Sequence, residues 1–171
     1  MLFIFISQFN FFSQINFKLT NAIVIGQFDK PEDRFSIEIN TTEILATQGI
    51  KAIPSLNLLK TGEDSRLLAT DSIKAVVRTK GFDTYLIVKV LGFDKRFKLT
   101  DRKISFNESL DRGALFNLYR EEAESISFEF SFFKNDQIIY REIIRCQSIS
   151  DQNTVIKKYR KKLRKCVLKK W

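Results

Sequence analysis

Hydrophobic positions along the chain fall into two periods, and the switches between them mark the elements. Residues 21–28, NAIVIGQF, have the β-branched density of a buried strand. Asp29 can then cap, and Pro31 can occupy the first turn of, a helix that runs without Gly or further Pro to Gln48 and stops at Gly49, despite the locally alternating FSIEI. IKAIPSLNLL reads as a second strand, with Pro54 favouring a strand end or sheet edge, and KTGEDSR as a loop. Asp71 or Ser72 can cap a second helix whose Ile73, Val76 and Val77 share a face and which ends at Gly81. DTYLIVKVL, 83–91, is a third strand.

The signal weakens over 98–124, where a short strand in LTDRKISF and a helical turn carrying Leu115, Leu118 and Tyr119 are expected. Strict alternation then returns. Ile126, Phe128, Phe130 and Phe132 interleave with Ser127, Glu129 and Ser131, Asn135-Asp136 supplies a turn, and QIIYREIIRC comes back as the partner strand. After Asp151, apolar residues recur at helical intervals: Tyr159, Leu163, Val167 and Trp171, joined by Val155, Ile156 and Cys166. The expected fold class is therefore α/β (α+β): β-α-β-α-β followed by a β-hairpin and a C-terminal basic helix, packed on one mixed sheet. Residues 15–171 are read as a single domain, with 151–171 as that helix.

Composition adds that a real core is affordable. A chain of 171 residues can bury about 70% of its unfolded surface, and 44% of this one is hydrophobic, with 17 Phe and no low-complexity stretch. Charge alters the picture more. The formal net charge is +9, yet Lys157, Lys158, Arg160, Lys161, Lys162, Arg164, Lys165, Lys169 and Lys170 all lie beyond residue 154 with no acid among them, and positions 1–154 balance 20 basic against 20 acidic residues. The basic character belongs to the tail, so only the tail can supply an anion-attracting field.

Residues 2–12, LFIFISQFNFF, resemble the apolar core of a secretory signal and are too short and too interrupted to span a bilayer. No Lys or Arg precedes Lys18, and a cut after Ser13 would place bulky Phe11 where a small residue is preferred. Export, with 1–14 as a signal-peptide remnant, is the expectation; the other reading makes residues 2–25 part of the fold, since Ile15, Phe17 and Leu19 alternate as in a strand. Cys146 and Cys166 are the only cysteines, able to pair if the tail helix folds back and otherwise free thiols.

Candidate chemistry is sparse. There is no His, so Ser-His and Cys-His nucleophiles lack their base, two cysteines cannot make a four-ligand zinc site, and the six glycines stand singly rather than in a phosphate loop. A carboxylate pair such as Asp83 with Asp94, or Glu121 with Glu122, could serve acid-base chemistry, but surface solvation accounts for them more simply. No catalytic residue, metal or cofactor is expected, and the chain is read as a binding protein rather than an enzyme. Tyr159, Leu163, Val167 and Trp171 form either a stripe that inserts at a lipid interface or one that packs on the sheet. In either case the nine cations are candidate contacts for an anionic partner.

The order of elements, carried by IVIGQFDKPEDR, GIKAIPSLNLL, GFDTYLIVKVLG and the late hairpin, resembles the small periplasmic domains of the curli-channel, TolB amino-terminal and penicillin-binding-protein-activator type. It is similar also to exported proteins of Bacteroidetes, whose leaders close in sequences like FFSQ here. The resemblance covers about 20–171 and implies an envelope domain, periplasmic or secreted, that contacts a protein partner. No cysteine follows the leader to extend it to a lipid anchor. The alternative is a cytoplasmic location, with the basic helix meeting an anionic membrane surface or a nucleic acid.

Overall fold

β-branched residues at Ile23, Val24 and Ile25 make strand β1, Asn21–Gln27, and side chains alternate across it between two cores. This arrangement comes from a computed structural model that describes residues 17–60, 63–111 and 115–171; the expected leader, 1–14, lies outside them. The remaining elements are α1 (Pro31–Thr47), β2 (Lys51–Pro54), α2 (Asp71–Thr79), β3 (Thr84–Phe93), α3 (Phe106–Asp111), β4 (Ser125–Lys134), β5 (Gln137–Gln147) and α4 (Gln152–Lys170). They build one five-stranded mixed sheet in the order β2-β1-β3-β4-β5, in which β1 pairs parallel with β2 and β3, and β4 pairs antiparallel with β3 and β5. Pro54 ends the edge strand β2, where its missing N–H costs no ladder bond.

One face of the sheet presents Ala22, Val24, Leu86, Val88, Val90, Ile126, Phe128, Phe130 and Phe132 to α1 and α4. The other presents Ile23, Ile25, Tyr85, Ile87 and Phe133 to Val77 of α2, to Phe106 and Leu110 of α3 and to the short 3₁₀ turn that holds Leu68. The β4–β5 turn has Asn135 and Asp136 both at positive φ, 50° and 62°, the pairing a two-residue hairpin of right-handed twist requires. Gly92 sits at φ 151° where the β3–β4 register shifts, and a Cβ there would lie 2.9 Å from the Phe97 ring.

Three local expectations are corrected. Lys30 and Thr70, not Asp29 and Asp71 or Ser72, are the N-cap residues of α1 and α2; neither side chain makes the cap bond, the Thr70 hydroxyl donating instead to the Leu67 carbonyl. The strand expected in LTDRKISF, 99–106, is a single bridge, Ser105 to Gln137, and the helix of this region is α3, with the described residues 115–124 irregular. Phe17 and Leu19 do turn toward the core, but ahead of β1 rather than within a strand: Leu19 is buried and Phe17 stacks on Tyr140 at 4.5 Å.

The space beyond the carboxyl ends of β1 and β2, where α/β sheets often hold ligands, is filled by protein. The buried Glu38 carboxylate accepts hydrogen bonds there from Gly26 N–H (2.9 Å), the Ser55 hydroxyl (2.7 Å), the Arg34 guanidinium (2.9 Å) and Leu56 N–H (3.2 Å). Next to it, Asp33 accepts from Leu118 N–H at 2.7 Å and from the Gln152 amide at 2.8 Å, tying the start of α4 to the start of α1.

Candidate functional site

Helix α4 begins where Asp151, extended at φ −164°, turns its carboxylate onto the N–H of Thr154 at 2.7 Å. From there the i, i+4 apolar positions run over the aromatic face of β4. Tyr159 stacks near Phe130 (5.9 Å between centroids) and meets Phe128 edge-on (5.0 Å), while Trp171 crosses Phe132 at 4.7 Å. The Tyr159 hydroxyl lies 2.5 Å from Thr41 Oγ1 of α1; because Thr41 donates to the Ile37 carbonyl, it is Tyr159 that donates to Thr41. Burial pushes this phenol far above its usual pKa. All four residues of the predicted stripe, Tyr159, Leu163, Val167 and Trp171, are buried against the sheet, so none faces a lipid interface in this structure. Leu168, 69% exposed, is the large apolar side chain that α4 turns outward.

With its apolar side so placed, the cations of α4 divide by direction. Arg160 reaches α1, where it bonds to the Asn40 side-chain oxygen and pairs with Glu43 at 2.6 Å. Lys170 pairs at 2.7 Å with Glu142 of β5, which raises the Lys170 pKa above its ordinary value. Lys157, Lys158, Lys161, Lys162, Arg164, Lys165 and Lys169 form no ion pair with any described residue, and all but the half-buried Lys158 are exposed. Lys158, Lys162, Lys165 and Lys169 recur every three or four residues and so line one flank of the helix.

That flank faces β5. Between them lies an open groove of about 630 Å³, bounded on the strand side by Glu142–Arg145, Gln147 and Ser148 and on the helix side by the lysine row with Lys161, Cys166 and Lys170. β5 is the edge of the sheet. The first part of its outer edge is flanked: Gln137 bridges to Ser105, and Arg141 donates to the Thr100 carbonyl at 3.1 Å. Along Glu142–Gln147 no described strand pairs with the outer side. The two cysteines are free thiols, and burial raises Cys146 to about 12 and Cys166 to about 11, which makes both poor nucleophiles.

The carboxylates weighed for chemistry stand apart. Asp83 and Asp94 flank opposite ends of β3, roughly 35 Å apart at about 3.3 Å per residue, so they cannot act as a pair. Asp83 instead binds Lys134 at 2.6 Å, and Asp94 accepts the N–H groups of Glu124 and Ser125 at 2.9 Å each. Glu121 and Glu122 are exposed. Among the described residues no group of three or more His, Cys, Asp or Glu could hold a metal ion, and no helix is long and apolar enough to cross a membrane.

Comparison with known proteins gives similarities of outline. The chain resembles lipoprotein GNA1162 from Neisseria meningitidis at TM-score 0.45 and 10% identity, over 80% of this chain and 90% of that one. It resembles PelC from Paraburkholderia phytofirmans, solved as a dodecamer, at TM-score 0.44 and 14% identity, over 88% and 85% of the two chains. No family model and no curated protein matches the sequence. By its own architecture the chain is a small α/β domain, and among the described residues α4 carries a conspicuous cationic surface.

Proposed function

We propose that the protein acts by binding rather than catalysis, and that the cationic side of α4 with the adjoining groove is where it holds an acidic protein partner. The observation that carries this is the set of seven cations on one helix with no acidic partner among the described residues. Like charges three and four residues apart weaken a helix, and several cations elsewhere are balanced by acids, as at Lys74–Asp136, Arg120–Asp94 and Lys134–Asp83, although among the described residues Lys95, Arg96, Lys98 and Lys103 are not. A local departure from that balance is expected at a functional surface. The export signal expected in 1–14 would put the partner in the cell envelope. The membrane reading loses its apolar half, because the aromatic stripe of α4 is spent on the core.

The test is titration of the full chain with fluorescein-labelled poly-glutamate of defined length, compared with phosphatidylglycerol vesicles. Binding to poly-glutamate that weakens at least tenfold between 50 and 300 mM NaCl, is lost in Lys161→Glu/Lys165→Glu and survives in Lys95→Glu/Lys103→Glu is the expected result. Vesicle binding without poly-glutamate binding would transfer the surface to lipid headgroups. Equal binding by both charge-reversed variants would remove α4 from the function.

A further inference from the structure

The groove does more than collect positive charge, because its second wall is a strand edge that no described strand pairs. We infer that the segment Glu142–Gln147 of β5 accepts one added strand from an acidic partner, whose carboxylates are received by Lys158, Lys162, Lys165 and Lys169. This rests on the reading of α4 as a docking surface and specifies its ligand: an extended segment with Asp or Glu at alternate positions.

The geometry matches on three counts. The free edge offers backbone N–H and C=O groups over roughly 20 Å, and the lysine row from Lys158 to Lys169 extends over roughly 16 Å at 1.5 Å per residue, so one short strand spans both. Alternate residues of an added strand point to the same face about 6.6 Å apart, while successive lysines of the row advance about 4.5–6 Å along the helix. Three carboxylates at positions i, i+2 and i+4 therefore meet the row without either element bending. Finally, α4 lies on the face that carries Glu142, Ile144 and Cys146, so carboxylates on that face of the added strand project toward lysines, and residues on its other face run beside Ile143 and Arg145. Main-chain bonds would supply affinity and the lysines selectivity.

Other occupants fit worse. A second copy of β5 would bring Arg141, Arg145 and a second lysine row against the first, and like charges so placed repel. The chain's own residues 1–28 contain no Asp or Glu at all. An edge left open to self-association is a hazard that lysines commonly suppress; here the same lysines also select the one kind of strand that can enter.

The experiment uses the full chain and four labelled probes: acetyl-(Glu-Thr)₄-amide, two versions N-methylated at every Glu or at every Thr, and phosphatidylglycerol vesicles. N-methylation removes backbone donors without changing charge, and an added strand bonds through alternate residues only. The parent peptide should bind at 50 mM NaCl, one N-methylated version should bind at least tenfold more weakly while the other is within threefold of the parent, and Lys162→Glu/Lys165→Glu, its fold checked by circular dichroism, should lose at least tenfold. If both methylated peptides match the parent, strand addition is wrong while the acidic docking surface stands. If vesicles bind and no peptide does, a membrane replaces the partner, and if no probe binds, both readings fall.

Discussion

Single side chains hold this fold at the points where its loops meet the sheet, and Asp94 is one whose contacts acid weakens. It sits at φ 56°, accepts the N–H groups of Ser125 and Glu124, and faces Arg120 at 3.0 Å; the backbone bond from Ser125 leads the effects that hold its carboxyl below the usual range. Asp151, accepting Thr154 N–H at the start of α4, is lowered in the same way. A folded pKa below the unfolded one means the folded state binds fewer protons, so this stabilisation is complete above about pH 4, the ordinary carboxylate value, and is lost as pH falls through the depressed folded values. Urea unfolding between pH 6 and pH 2.5 should show a falling midpoint. Asp94→Asn keeps a side chain tolerant of left-handed backbone but removes the charge; it should lower the pH 6 midpoint and flatten the acid limb, and an unchanged limb would assign the acid sensitivity elsewhere.

At the scale of elements, the parts legible in the sequence were those governed by local period. The hairpin could be read because Ile126, Phe128, Phe130 and Phe132 alternate up to a two-residue turn, and α4 because its apolar residues return every fourth place behind a capping Asp151. Residues 98–124 resisted because their order is borrowed from distant places: Asp29 N–H bonds to the Phe116 carbonyl, Asp33 holds Leu118 and Asp94 holds Glu124. No local pattern announces such ties. The cations of α4 were readable one by one, but the groove was not, since it depends on β5 being the sheet edge and strand order leaves no mark on periodicity. Nor could the Tyr159 stripe be divided in advance between core and interface, as both uses demand the same spacing. α4 carries a prediction of its own. Lys157–Lys161, Lys158–Lys162, Lys161–Lys165 and Lys165–Lys169 repel at i, i+4, together about 1–2 kcal/mol at low salt. Raising NaCl from 20 to 300 mM should therefore increase the thermal midpoint, and Lys162→Glu/Lys165→Glu should show a smaller rise.

For the whole molecule, α4 is both the candidate contact surface and the cover of a core. Val155, Tyr159, Leu163, Cys166, Val167 and Trp171 close the cluster that contains Phe128, Phe130 and Phe132. Removing residues 152–171 would thus remove charge and structure together, so a loss of binding on truncation would say nothing about the lysines. The truncated chain should unfold without a cooperative transition and bind a hydrophobic dye such as ANS. A cooperative transition as sharp as the full chain's would show that the sheet and α1 stand without α4. Trp171, the single tryptophan, is 8% exposed beside Phe132, so its emission reports directly on whether α4 is seated.

The position of that helix also sets a timetable for a chain made from its amino end. At about 5–20 residues per second, roughly one to several seconds separate the synthesis of β5 from that of the end of α4, and until α4 arrives Phe128, Phe130 and Phe132 lack the part of their cover that it supplies. A strongly aromatic face of the sheet is thus covered after it is made, by the most positively charged segment of the sequence. The nascent chain therefore passes through an adhesive interval that closes as α4 docks.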